Sequence, residues 1–386
     1  MKWESLKLAE IIIENSKSKF KVRDSSEIGK YPFFTSGDKI KRLDESICKG
    51  ENIFVATGGK ANFKYFNGKA SYSTDCYSIK TNEKVIVKYL YYFLVMNKEI
   101  INKRMFKGAA LKHLQKKEFK DIYISIPSLA EQERIVAKFD AAFAEIDDVK
   151  SSIEQNINNA TSIFSTYLNE KINSISDSKE LMLGDAMETL TDYHANGSYK
   201  ILKNHVELKD SDDYAWMIRS TDFEKGFKNQ KKYITKAAYE FLSKSKIFGN
   251  ELLMSKIGNA GKIYLMPKID RPTSLAMNMF LIRFDESIAL NEYVYICLSS
   301  YLGNQQIINR LHGAATQTIT KDAVRSIKIP ICSLQEQKKI IFEINLMKEK
   351  TILLSKILQK NLKNQHELKK AILNKAFLAE SHHHAA

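Results

Sequence analysis

The chain has 386 residues, 44% of them hydrophobic and 27% charged, and its 60 basic against 45 acidic side chains leave a net charge of +15. That length holds about two to three domains, each able to bury its own core, and the cationic excess suits a polyanionic partner. A membrane span is excluded, because the longest apolar run, Leu90 to Met96, is far shorter than the roughly 20 residues a bilayer requires.

Residues 1–128 read as a mixed domain of short strands, glycine-bearing loops and a few short helices. The run Asn52-Ile53-Phe54-Val55-Ala56 is strand-like. Behind it, Thr57, Gly59, Lys60, Asn62 and Lys64 combine a flexible backbone with phosphate-neutralising lysines and an asparagine able to bond an adenine edge. Further on, the loop Gly108-Ala109-Ala110 leads into Lys112 and His113. An alternating strand, Ile122 to Ile126, ends at Pro127 and gives way to a stretch from 129 to 174 without glycine or proline. Its apolar positions step by three and four, which predicts one long helix with a coiled-coil seam. Ser128, three residues before Glu131, has the spacing of a capping box.

The same order then returns. Residues 179–332 form a second mixed domain, with the strand-like Glu251-Leu252-Leu253-Met254 followed by Lys256, Asn259 and Lys262. Arg219 and Gln317 complete its candidate DNA contacts. A second uninterrupted helical stretch runs from 333 to about 380, opened by Ser333 and Glu336. Gly313-Ala314-Ala315 repeats Gly108-Ala109-Ala110 at an offset of 205 residues, and Ser333-Leu334-Gln335-Glu336-Gln337 repeats Ser128-Leu129-Ala130-Glu131-Gln132 at the same offset. Leu181-Met182-Leu183-Gly184-Asp185 echoes Leu6-Lys7-Leu8-Ala9-Glu10 more faintly. Matched segments in one order mark a duplication. The expected domains are 1–128, a first spacer helix 129–178, 179–332, a second spacer helix 333–380, and a tail or tag remnant 381–386 that includes His383 and His384.

Charge separates the parts. Residues 129–178 carry four basic and nine acidic side chains, and residues 333–386 carry ten and five, so the helices have opposite sign and are expected to pair antiparallel. The first mixed domain holds +11 and the second +4. Two basic heads on a stiff pair of helices suit two short sites on one duplex, with the helices as a ruler between them.

No catalytic or metal-binding set emerges. The four cysteines are scattered, without a C-x-x-C pair, as expected of reduced thiols in a cytoplasmic protein. Gly258-Asn259-Ala260-Gly261-Lys262 lacks the spacing of a nucleotide-binding P-loop. An amino-methyltransferase needs an Asn/Asp-Pro-Pro-aromatic motif, and none of the five prolines neighbours another. Glu207-Leu208-Lys209 and Glu367-Leu368-Lys369 have the E-x-K shape of a nuclease site, a tripeptide common by chance. An interaction scaffold whose heads bind protein stays open beside DNA reading, as does a specificity region with its own methyltransferase or nuclease activity.

Over essentially its whole length the chain resembles the specificity subunits of type I restriction–modification systems. The residues that carry the resemblance are Pro127 through Ile135, Ser333 through Gln337, Tyr31 through Gly37, the strand-loop-strand from Asn52 to Tyr77, and Gly108-Ala109-Ala110. The second copy departs from the pattern, with two more residues between its Pro330 and Ser333. The resemblance implies an α+β fold: two target-recognition domains separated by two long antiparallel coiled-coil helices, related as a pseudo-twofold repeat. It further implies that each domain reads half of a bipartite site on double-stranded DNA. Two modification subunits would dock on the helices, joined by restriction subunits with motor and nuclease activity. S-adenosylmethionine, ATP and Mg would be bound by those partners, leaving this chain without a cofactor or membrane attachment.

Overall fold

The computed structural model describes residues 3–382, so residues 383–386 of the expected tail lie outside it. Contacts divide the chain into two compact units, Met1–Gln155 with Leu358–Ala386, and Asn156–Ile357. The division falls within each long helix, so both helices contribute to both units.

The first unit is built on a four-stranded antiparallel sheet in the order Ile12–Glu14, Cys76–Thr81, Glu51–Ala56, Phe63–Asn67. The central strand Glu51–Ala56 is buried on both faces, which is why its sequence reads as a nearly continuous apolar run. The helix Val87–Met96 packs on one face through Tyr89, Leu90 and Leu94, all fully buried. On the other face Phe54 stacks on Phe34 with ring centroids 4.0 Å apart. Phe34 belongs to a three-stranded sheet, Lys41–Leu43, Tyr31–Phe34 and Ser71–Tyr72, in which the last two run parallel. A two-stranded ribbon, Glu4–Lys7 against Tyr123–Ile126, ties the start of the unit to the approach of the first long helix.

The second unit repeats this frame. Its sheet runs Met187–Asp192, Met279–Phe284, Leu252–Ser255, Ile263–Leu265, and its ribbon pairs Lys179–Met182 with Lys328–Ile331. The helix Asn291–Ser299 takes the place of Val87–Met96, with Tyr293 buried as Tyr89 is. Even the faint echo near the starts is structural: Leu8 donates its amide to Ile122 O and Leu183 to Ile327 O, both at 2.8 Å. The unit differs by an additional segment. Short helices Tyr199–His205 and Lys236–Phe241 build a separate apolar cluster with Ala215, Met217 and Ile234. Its second sheet accordingly has four strands, with Lys246–Ile247 as the extra edge.

The long helices are Leu129–Asn173 and Leu334–His382, 45 and 49 residues. In the first unit Ile135, Phe139 and Phe143 meet Ile372 and Leu373, and Lys369 pairs with Asp147 at 2.5 Å. In the second, Leu168 and Ile172 meet Ile340 and Ile344, and Lys171 pairs with Glu343 at 2.5 Å. Both sets run antiparallel, as expected from sequence. Their signs are opposite, however: the acidic helix supplies the cation to Glu343, so apolar packing rather than net charge sets the pairing. The capping serines form half of the expected box. Ser128 and Ser333 accept the amides of Glu131 and Glu336 at 3.4 and 3.3 Å, while Glu131 turns its carboxylate to Arg134.

The glutamine of the Glu-Gln signature is what fastens each helix to its unit. Gln132 is fully buried, takes the amide of Ile86 at 2.8 Å, and donates to Lys84 O and Pro127 O. Gln337 repeats this with Leu290, Ile288 and Cys332. Tyr89 donates to Ser125 O and Tyr293 to Pro330 O. These bonds correct the expectation of extra residues in the second copy. Both junctions are the same length, Pro127 being replaced by Cys332, and the second proline stands within the strand at the place of Ser125. It is tolerated because that ribbon has only two strands.

Candidate nucleic-acid interface

In each unit the loop at the end of the central strand is brought against the Gly-Ala-Ala loop. In the first, Gly59 donates its amide to Lys112 O at 2.8 Å and Leu114 donates to Thr57 O at 2.9 Å, with a bridge between Gly58 and His113. In the second, Ile319 donates to Lys256 O at 3.1 Å and Ile257 bridges Thr318. The leading glycine of each Gly-Ala-Ala is required by this turn. Gly108 has φ 145° and Gly313 φ 99°, and a Cβ at either would lie 2.3 Å from a carbonyl oxygen, that of Leu111 or Thr316.

Side chains on these loops fall into two groups. Lys60, Lys112, His113 and Gln317 are exposed at the tips. The others are held by the protein. Thr57 donates its hydroxyl to Asp75 O at 2.8 Å, and Gly59 uses its positive φ of 82° to turn the loop. Asn62 donates to Ser36 O, Gly37 O and Asp38 Oδ1, the last at 3.2 Å. Lys64 caps the same segment by donating to Thr35 O and Gly37 O, and burial pushes the pKa of its amine down. In the second unit Arg219 grips the buried Asp222 at 2.9 Å and reaches Gln230 O. Lys256 pairs with Asp192 at 2.8 Å, both side chains only 12% exposed. Arg219 and Lys256 therefore serve the frame of the unit.

Two acidic residues stand among the candidates. Asp38 lines a cleft of about 350 Å³ with Gly58, Gly59, Lys60, Asn62 and Lys98. Lys98 opens the helix Lys98–Met105 and was not legible as part of the site. In the second unit Glu224 Oε1 accepts from Asn259 at 2.8 Å, Lys262 at 3.4 Å and Tyr264 at 3.3 Å. The Asn259 hydrogen bond, followed by the charge of Lys262, holds the Glu224 carboxyl below the usual carboxylate range. Among the described residues no group of three or more His, Cys, Asp or Glu gathers as a metal site, and no helix is long and apolar enough to cross a membrane.

Similarity to known proteins points the same way. Residues 1–159 and 176–364 match the model for the type I restriction modification DNA specificity domain. The chain is 22% identical over 295 residues to the type I restriction enzyme EcoBI specificity subunit of Escherichia coli, covering 71% of this chain and 61% of that subunit, so it spans less than two thirds of that relative. It is 21% identical over 364 residues to the MjaVIII specificity subunit of Methanocaldococcus jannaschii, covering 87% and 84%. In fold it is similar to a chain from a structure reported for complex assembly and conformational transition of the type I R-M system. That similarity has a TM-score of 0.71 at 15% identity over 97% of both chains. The HsdS subunit from Thermoanaerobacter tengcongensis gives a TM-score of 0.55 over 97% and 96%. With two matched regions that together span most of its length, the chain belongs to the family of type I restriction modification DNA specificity domains.

Proposed function

We propose that this chain is the specificity subunit of a type I restriction–modification complex and reads a bipartite, asymmetric site on double-stranded DNA, one half-site per unit. The observation that supports this most directly is the pair of loops. The bond from Leu114 to Thr57 O recurs as that from Ile319 to Lys256 O, while the exposed tips differ, Lys112-His113 in one unit and Gln317 in the other. A shared frame with unlike side chains suits two readers of unlike sequence. Lys60, Lys112, His113 and Gln317 are the proposed direct contacts. Thr57, Gly59, Asn62 and Lys64 shape the first loop, as Lys256, Asn259 and Lys262 shape the second, and Arg219 steadies its base.

In this reading the chain performs no chemical step. It positions two modification subunits that methylate adenine with S-adenosylmethionine, and restriction subunits that use ATP and Mg for translocation and cleavage. Its work is then done beside cellular DNA in the cytoplasm. Co-expression with its modification subunits, followed by genome-wide mapping of methylated adenines, tests the proposal. A split motif with two unlike halves is the expected result. Methylation without sequence preference, or methyl transfer by the purified chain alone, would overturn it.

A further inference from the structure

In each unit one carboxylate, Asp38 or Glu224, is held by an asparagine of the strand-tip loop. In both units a strand of the second sheet that runs parallel to its neighbour, Tyr31–Phe34 or Ala215–Ile218, leads into the segment that carries this carboxylate. Asp38 receives Asn62 Nδ2 at 3.2 Å, and Glu224 receives Asn259 Nδ2 at 2.8 Å. A lysine stands at each: Lys60 lines the cleft with Asp38, and Lys262 lies 3.4 Å from Glu224. A carboxylate beside a phosphate backbone is repelled, so it weakens binding unless it meets a donor on the DNA. Asp38 is exposed, with the half-buried amine of Lys64 near it, and Lys262 beside Glu224 is half-exposed.

The donors a carboxylate can find in the major groove are the exocyclic amino groups. Adenine presents its amino group beside N7, an acceptor that repels the second carboxylate oxygen. Cytosine presents its 4-amino group without that neighbour, which makes it the natural match for Asp or Glu. We propose that Asp38 and Glu224 are base-reading carboxylates, one per unit, each accepting a hydrogen bond from the 4-amino group of a cytosine in its half-site. Asn62 and Asn259 position them, and the adjacent lysines offset their charge toward phosphate. This rests on the half-site reading above and assigns to it one defined base pair in each half.

The test uses the chain complexed with its modification subunits and duplexes carrying the mapped site. Asp38→Asn and Glu224→Gln keep the side-chain volume and an oxygen for the asparagine. Each is expected to lower discrimination for one G·C pair about tenfold to a hundredfold, D38N in one half-site and E224Q in the other. A duplex whose cytosine lacks its 4-amino group should lose the same factor with the unaltered protein, and lose nothing more when combined with the variant. That arm needs no variant to fold. Unchanged discrimination at every base pair would overturn the carboxylate assignment, as would an equal rise in affinity for all DNA. An unaltered complex that distinguishes no half-site would instead overturn the bipartite reading itself.

Discussion

The side-chain amide of Gln132 accepts the main-chain amide of Ile86 at 2.8 Å and is entirely buried while doing so. Its nitrogen donates to Lys84 O and Pro127 O, so all its strong hydrogen-bonding groups face protein backbone. The helix Val87–Met96 begins immediately after Ile86, and the long helix begins at Leu129. One side chain thus joins the starts of both helices to the end of the ribbon strand. Gln337 does the same between Leu290 and Cys332.

Truncating that side chain strands an amide and carbonyls in the interior, which costs about 1–3 kcal/mol for each unsatisfied group. Gln132→Ala and Gln337→Ala are each expected to lower stability by at least about 2 kcal/mol, read as a shift in the urea midpoint. Glu131→Ala, one residue away, loses only an exposed i,i+3 pair with Arg134 and should stay within about 0.5 kcal/mol of the parent. Equal effects at 131 and 132 would show that the signature acts through helix propensity instead.

The leading glycines make a prediction of the opposite kind. Gly108→Ala and Gly313→Ala each put a Cβ 2.3 Å from a backbone oxygen in a loop with positive φ, so the turn must open. The loops lie outside the buried cores, and thermal midpoints should fall little. DNA discrimination should instead be lost in one half-site per variant, measured on duplexes altered in either half. Loss in both halves from a single substitution would contradict separate readers.

How much of this was visible beforehand depends on how far apart the interacting groups lie. The long helices were legible because a three-four apolar step is a local pattern; of the residues in that step Ile135, Phe139, Ile340 and Ile344 are buried, while Val149, Leu354 and Leu368 are exposed. The duplication was legible because it compares the chain with itself. Gln132 was conspicuous only as part of a repeated string, since its partners Lys84 and Ile86 lie more than 45 residues away. The same distance hid Lys256: as a lysine beside a glycine loop it suggested a phosphate contact, but Asp192, 64 residues earlier, holds it. Asp38 and Glu224 leave no mark in the sequence, because a cationic excess points to lysines and arginines, and the asparagines that hold these carboxylates are 24 and 35 residues away. The segment carrying Tyr199–His205 and Lys236–Phe241 has no counterpart in the first unit, so the repeat offered no guide to it.

The exposed and the tethered lysines should behave differently toward salt. Lys60→Ala and Lys112→Ala are expected to weaken binding to all sequences and to reduce the slope of log K against log salt by up to about 0.9 each. Lys256→Ala should leave that slope unchanged and lower stability by about 1.5–3 kcal/mol, because a charged hydrogen bond in a mostly buried pair is lost. A fall in the salt slope for Lys256→Ala would return that side chain to the DNA surface.

Asp192 links the stability of the second unit to pH. Burial opposes its ionisation, but the hydrogen bond from Lys256, the charges of Lys256 and Lys321, and the amide of Ala195 outweigh it, so its pKa lies below the usual 3.8. A carboxyl whose pKa is depressed by folding stabilises the native state above its unfolded value, and that contribution disappears as pH falls through the folded value. The stability difference between the parent and Asp192→Asn should therefore be constant above about pH 5. It should shrink steadily below the unfolded pKa, because protonation makes the parent resemble the amide variant. Urea midpoints of the two proteins, measured side by side from neutral to acid pH, cancel the titration of carboxyls common to both. A difference that persists undiminished to the acid limit would mean that Asp192 acts on the unit through the Ala195 cap alone, which an asparagine also supplies in part, and not through its charge on Lys256.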